Sequence, residues 1–311
     1  MGIPLTLDIR AGSCKRAFPK RNGHVRTGYI CALGLLWAAS AWAESPRFIT
    51  RCPRDSVLVG QLCVDRYEAS VWQIPSTNSL GLSNTWLIHR IEHGFATLAD
   101  LTLGNAILIS PASVSTCAQA EPGTTCSSCD APAFPATFPE NGQWTQPLYA
   151  VSVGGVQPTG CISWFQAAQA CRLAGKRLLT NLEWQDAVAG TPDTSGGNDN
   201  LTTDCNVNSG HAVSTGSRAA CRSSWGAFDM VGNLDEWVAE WLPASTGCPG
   251  WGSFSGEDSM CLSGASETVL GPGALTRGGS FSSGAGAGVF AVSAQNVPYT
   301  TAGSLGFRCV R

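Results

Sequence analysis

The sequence predicts a disulfide-stapled α+β domain with much irregular chain. Three observations carry this. The 311 residues include 36 glycines and 17 prolines, so loops should outweigh regular structure. Two helix-start signatures lie close together after an isolated strand pattern. Cysteines are numerous and even in number once an N-terminal export signal is set aside. Hydrophobic residues make up 43% and charged residues 13%, a globular composition.

Residues 1–43 have the form of a signal peptide. Arg10, Lys15, Arg16, Lys20, Arg21 and Arg26 precede an apolar run from Tyr29 to Trp42, which ends at Ala41-Trp42-Ala43. Cleavage is expected after Ala43. The run is shorter than the ~20 apolar residues that span a bilayer, so no stable membrane insertion is expected. The protein should then be periplasmic, cell-surface or extracellular. Without the leader, basic residues fall from 19 to 13 and acidic ones from 22 to 21, leaving a net charge of -8. No basic stripe remains for nucleic acid.

Residues 44–311 are expected to form one domain. Val57 to Tyr67 alternates weakly and predicts a strand. From Asn105 to Pro147 the chain is rich in Pro, Ser, Thr and Cys, which suggests a cysteine-tied insertion at about 105–157. Ser163-Trp-Phe-Gln166 is a capping box that opens a helix through Ala167, Ala168 and Cys171, with Gly175 as its stop. Thr180-Asn-Leu-Glu183 repeats the device for a second helix that carries Trp184, Ala187 and Val188 to Gly190. Thr191 to Cys221 and Leu242 to Gly273 should be loops.

Four segments, in order, resemble the sulfatase-modifying-factor family, whose enzymes generate formylglycine. They are Asp65-Arg-Tyr-Glu-Ala69, Pro158 to Ala189, Asp229-Met-Val-Gly-Asn-Leu-Asp-Glu-Trp237, and a carboxy-terminal block. That block comprises Arg277-Gly-Gly-Ser280, Ser293 to Pro298 and Leu305-Gly-Phe-Arg-Cys309. The resemblance implies a C-type-lectin-like variant, the fold of the formylglycine-generating enzymes. It also implies a disulfide between Cys171 and Cys309. Sequence neighbours suggest Cys52–Cys63, Cys205–Cys221 and Cys248–Cys261, leaving Cys117, Cys126, Cys129 and Cys161 to pair among themselves.

The same resemblance aligns Asp229, Gly232, Leu234 and Glu236 with a calcium-binding turn, where two carboxylates and two carbonyls would suit a hard cation. The alternative is that Asp229 and Glu236 are capping or salt-bridge groups. Arg177, Arg277 and Arg308 are expected to be structural, bonded to carboxylates such as Glu183 or to carbonyls. Trp184, Trp237 and Trp241 are expected in the core. His89 and His93 have i, i+4 spacing, so with Glu92 or Asp100 they form the one relocated metal site to consider. Two unrelated surface histidines are the plainer reading.

The family's enzyme carries two cysteines, five positions apart, after the Arg-Gly-Gly-Ser motif. They bind copper(I), a soft ion that selects thiolates. Here Ser283 and Gly288 stand at those positions, with Gly284 where a histidine is expected. Copper is therefore not expected, nor is formylglycine-generating activity. The functional expectation is a calcium-stabilised scaffold that binds a protein, glycan or small ligand; the alternative is a metal-dependent oxidoreductase with its site elsewhere.

Overall fold

A computed structural model describes residues 51–109, 147–193, 197–243, 258, 260–261 and 272–311. The described residues all belong to one compact unit. The expected signal sequence, Cys117, Cys126, Cys129 and Cys248 lie outside the described residues.

The expected strand at 57–67 is a hairpin. β1 (Ser56–Val59) pairs antiparallel with β2 (Leu62–Asp65), and Gly60, at φ 59°, supplies the left-handed turn residue between them. β3 (Ser70–Gln73) follows, then α1 (Thr85–Glu92), α2 (Leu98–Leu103) and β4 (Ile107–Ile109). After the undescribed segment comes β5 (Leu148–Val151). β3 is the centre of a three-stranded sheet, flanked by β4 and β5. The stretch expected as an insertion therefore contributes a strand at each end. Ile109 and all of Leu148-Tyr-Ala-Val are buried in the core that α1, α2 and α3 share, whereas Ile107 at the start of β4 is exposed.

α3 (Trp164–Leu173) and α4 (Asn181–Ala187) start at the expected boxes. Gln166 N–H donates to Ser163 Oγ at 3.3 Å and Ser163 N–H donates back to Gln166 Oε1 at 2.9 Å. Glu183 and Thr180 exchange the same bonds at 3.2 and 2.8 Å. α2 has a box of the same kind, Thr97 with Asp100, at 3.2 and 2.9 Å. Between α3 and α4 lies β6 (Arg177–Leu178).

The long strand β7 (Asp235–Pro243) follows the 229–234 turn. β8 (Met260–Cys261), β9 (Pro272–Arg277), β10 (Val292–Ser293), β11 (Leu305–Phe307) and β12 (Cys309–Val310) complete the chain. One sheet runs β1-β2-β12-β6 and another β11-β7-β9-β10-β8. Among the described residues two large apolar cores result, beside a small cluster of Ala212, Leu234 and Phe281. One lies between the three-stranded sheet and α1, α2 and α3; the other lies around Trp184, between β1, β2, α4, β7 and β9.

Disulfides and buried charge lock these parts. The chain forms Cys52–Cys63, Cys171–Cys309 and Cys205–Cys221, and Cys161 is also disulfide-bonded. Lys176, buried, reaches Asp55 at 2.8 Å and Asp65 at 2.6 Å, while Arg311 holds Asp55 from the far end at 3.0 Å. Burial would raise the Asp55 carboxyl, but the two cations outweigh it and hold it below the usual range. Among the described residues no helix is long and apolar enough to cross a membrane.

Candidate functional site

The 229–236 turn is built on left-handed backbone at Asp229 (φ 57°), Gly232 (φ 74°) and Asn233 (φ 61°). This coil brings three carboxyl groups, those of Glu68, Asp229 and Glu236, around the buried guanidinium of Arg308. Arg308 Nε donates to both Glu236 oxygens, at 2.7 and 2.8 Å, and its Nη2 lies 2.5 Å from Oε1. Trp184 Nε1 donates to Glu236 Oε2 at 2.7 Å. Glu68 accepts the Leu234 N–H at 2.9 Å and a short bond from the Asn233 amide. Asp229 Oδ2 accepts the Gly216 N–H at 2.7 Å, whereas its Oδ1 is buried without a partner.

Burial, with Asp229 and Glu236 as like charges, pushes Glu68 well above the usual carboxylate range. Burial likewise pushes Asp229 up to about 7. One cation cannot neutralise three buried carboxylates, so the cluster retains protons near neutral pH.

A calcium ion fits this arrangement poorly. The unpartnered Asp229 Oδ1 is the one feature that would suit it. Glu236, the second carboxylate of the set, is held by a guanidinium and an indole N–H. A divalent cation there would face Arg308 across the same oxygens. Gly232 and Leu234 could offer only carbonyls. Among the described residues no three of His, Cys, Asp and Glu come together as a metal site. The melting temperature of chelator-treated protein is therefore expected to stay unchanged when calcium is added. A rise of several degrees, the mark of a ligand of the folded state, would mean that Glu236 leaves Arg308.

The second feature is a polar cleft of about 240 Å³ beside the Arg277-Gly-Gly-Ser280 loop. Asp235, Thr276, Arg277, Ser283, Ser293 and Gln295 line it. Gly278, at φ 88°, lets the loop pass Trp184 and the Met230 carbonyl, where a Cβ would come within 3.2 and 2.7 Å. Arg277 is buried, stacks 4.4 Å over the Trp184 ring, and donates to the carbonyls of Ala291 (3.0 Å) and Val289 (3.4 Å) and to Gln185. Among the described residues no carboxylate forms an ion pair with it and its Nε is buried and unpartnered; burial pushes it down to about 10, although the Asp258 carboxylate opposes the shift. Burial also pushes Asp235 up to about 7, although the Ser280 hydroxyl and Gly279 N–H donate to it.

Both positions of the missing thiols lie at this loop. Ser283 Oγ accepts the Ser280 N–H at 2.9 Å and sits 3.3 Å from Ser280 Oγ. A Cβ on Gly288 would collide with the Asp258 carboxylate. The Gly-Ala run thus packs closely and also borders a cleft.

The other expected residues separate. Arg177 forms a fork with Glu183 at 2.6 and 2.7 Å, and Arg308 pairs with Glu236. Trp184 and Trp237 are buried, but Trp241 is 41% exposed, in an edge-to-face cluster with Trp164 and Phe165. It falls after a register shift in β7, so its ring leaves the core side. His89 on α1 and His93 just past its end are exposed, with rings stacked at 4.0 Å. Asp100 does not join them; it is bonded to Arg90 at 3.0 Å and to Thr97. Glu68, central to the buried cluster, carried no signal beyond its place in the early motif.

Fold and site together define an α+β domain with a buried Arg–carboxylate centre and, among the described residues, a cleft without thiols. The sulfatase-modifying factor enzyme 1-like domain family matches residues 139–311, and the chain belongs to that family. No curated protein matches the sequence. Similar solved structures include the Major Tropism Determinant P3c variant, at 21% identity, covering 56% of this chain and 48% of that one, with a TM-score of 0.33. The chain thus spans about half the length of that protein. PvdO from Pseudomonas aeruginosa is 17% identical over 84% of this chain and 88% of its own, with a TM-score of 0.36. CarF is 19% identical over 50% of this chain and 68% of its own, with a TM-score of 0.33.

Proposed function

We propose that the protein is a ligand-binding member of the family that does not generate formylglycine. The observation that carries this is at Gly288: the space a second thiol would need is filled by Asp258, while Ser283 replaces the first. Serine is a poor ligand for copper(I), and the cleft offers oxygen and guanidinium groups in place of sulfur. Such a lining suits a polar ligand that exchanges hydrogen bonds with Arg277 and Asp235. Export, suggested by the leader and consistent with the disulfides, would place that ligand outside the cytoplasm.

The test is incubation of copper-loaded protein with a sulfatase-motif peptide, reading the aldehyde by mass spectrometry. No turnover above a metal-only control is expected. Aldehyde above that control would overturn the reading. Elemental analysis of the exported protein adds a second check, since stoichiometric iron or copper would favour an oxidoreductase.

A further inference from the structure

A second concavity, of about 650 Å³, shares no lining residue with the cleft. It lies between β1, the end of β2 and the 222–226 loop. Arg51, Arg54, Arg66 and Arg222 line it together with Tyr67 and Trp225, and among the described residues its lining contains no Asp or Glu. All ion pairs among the described residues use other cations, namely Arg90, Lys176, Arg177, Arg218, Arg308 and Arg311. Four guanidiniums without counter-charge thus gather in one groove of a chain whose net charge is negative. An anionic partner would relieve their mutual repulsion and find an undivided positive field.

The groove is also pre-organised. Cys52–Cys63 staples the segment carrying Arg51 and Arg54 to β2. Tyr67 stacks on Phe228 with ring centroids 5.3 Å apart, and Arg222 lies over the Phe228 ring at 5.7 Å. Trp225 is 45% exposed, yet its Nε1 donates to the Asp186 carbonyl at 2.8 Å, which fixes the ring. A fixed, half-exposed indole is rigid amphipathic contact area bought at low entropy. Guanidiniums match carboxylate and sulfate groups with two parallel hydrogen bonds.

We propose that this groove binds an acidic polysaccharide, with its carboxylate or sulfate groups on Arg51, Arg54, Arg66 and Arg222 and a sugar ring on Trp225. The charge of the rest of the chain selects against nucleic acid. Duplex DNA presents one negative charge per about 1.7 Å, a density that the acidic remainder of the protein would repel. An acidic glycan spaces its charges more widely and offers ring faces for the indole.

The experiment measures binding of the full chain to polygalacturonate and to dextran sulfate across a salt series. Neutral dextran and duplex DNA are the controls. Binding to either acidic polymer, weakening as salt rises and absent for neutral dextran, is expected. Arg66→Gln/Arg222→Gln should lose at least tenfold in affinity and flatten the salt dependence, with an unchanged melting temperature. Trp225→Ala should lose several-fold with the salt slope retained. Arg172→Gln, an exposed arginine on α3, should bind like the wild type. No binding to either acidic polymer, equal loss in Arg172→Gln, or tighter binding of DNA would each overturn the proposal.

Discussion

Arg308→Leu is expected to cost about 3–5 kcal/mol of stability at pH 8, the usual consequence of removing one partner from a buried pair. The side chain is 1% exposed and holds Glu236 through both oxygens. It also donates to the carbonyls of Asp65 at 3.1 Å and Phe228 at 2.8 Å. Leucine fills part of the space but leaves Glu68, Asp229 and Glu236 facing one another without the cation that bonds Glu236, and with only Arg218 still acting on Asp229. The effect should depend on pH, with a definite sign. Burial raises the Glu68 and Asp229 carboxyls in the folded state, Asp229 to about 7. A raised acid binds its proton more tightly when folded. Its stabilising contribution is complete below the unfolded value near 4 and is lost as pH rises through the folded value. Wild-type stability should therefore decline from pH 5 to pH 8. The deficit of Arg308→Leu should shrink over the same range read downward, because protonation removes the repulsion that Arg308 offsets. Urea unfolding at pH 5 and pH 8 checks both. A deficit below 1 kcal/mol, the same at both pH values, would show that the guanidinium is not the counter-charge of this cluster.

Replacing Cys171 and Cys309 together by alanine should cost about 4–5 kcal/mol in the chain-entropy account, since the bridge closes a long loop. The sequence separation is 138 residues and both cysteines are fully buried. Cys52→Ala/Cys63→Ala, with a separation of only 11, should cost less, about 3 kcal/mol or below. Denaturant midpoints of the two double variants give the order. Equal losses, or a larger loss for the short loop, would contradict an unfolded-state origin and point to packing around the sulfurs.

Several features were legible in the chain itself. Both expected helices begin at their capping boxes, because a cap is a local exchange of side-chain and backbone bonds and needs no distant partner. The Thr97/Asp100 box was equally readable and marks α2, which was not anticipated. The Arg177–Glu183 fork spans six residues and lies on the same local unit. The missing thiols are a matter of composition alone, with no cysteine between Cys261 and Cys309.

What needed the tertiary structure is what depends on residues far apart in the chain. Glu68 meets the Leu234 N–H across 166 residues, and Arg308 meets Glu236 across 72. Nothing in the local sequence says whether the Glu236 carboxylate faces a cation from the solvent or a guanidinium from the terminal strand. That choice is made when β11 pairs in parallel with β7 and delivers Arg308 into the same buried space. Trp241 is exposed for a related reason: the register shift in β7 turns its ring away from the core. The four arginines of the groove are scattered from 51 to 222 and show no patch in sequence. They converge because the β1–β2 hairpin packs beside the 222–226 loop, and a field made by several charges exists only once the chain has brought them within reach of one ligand.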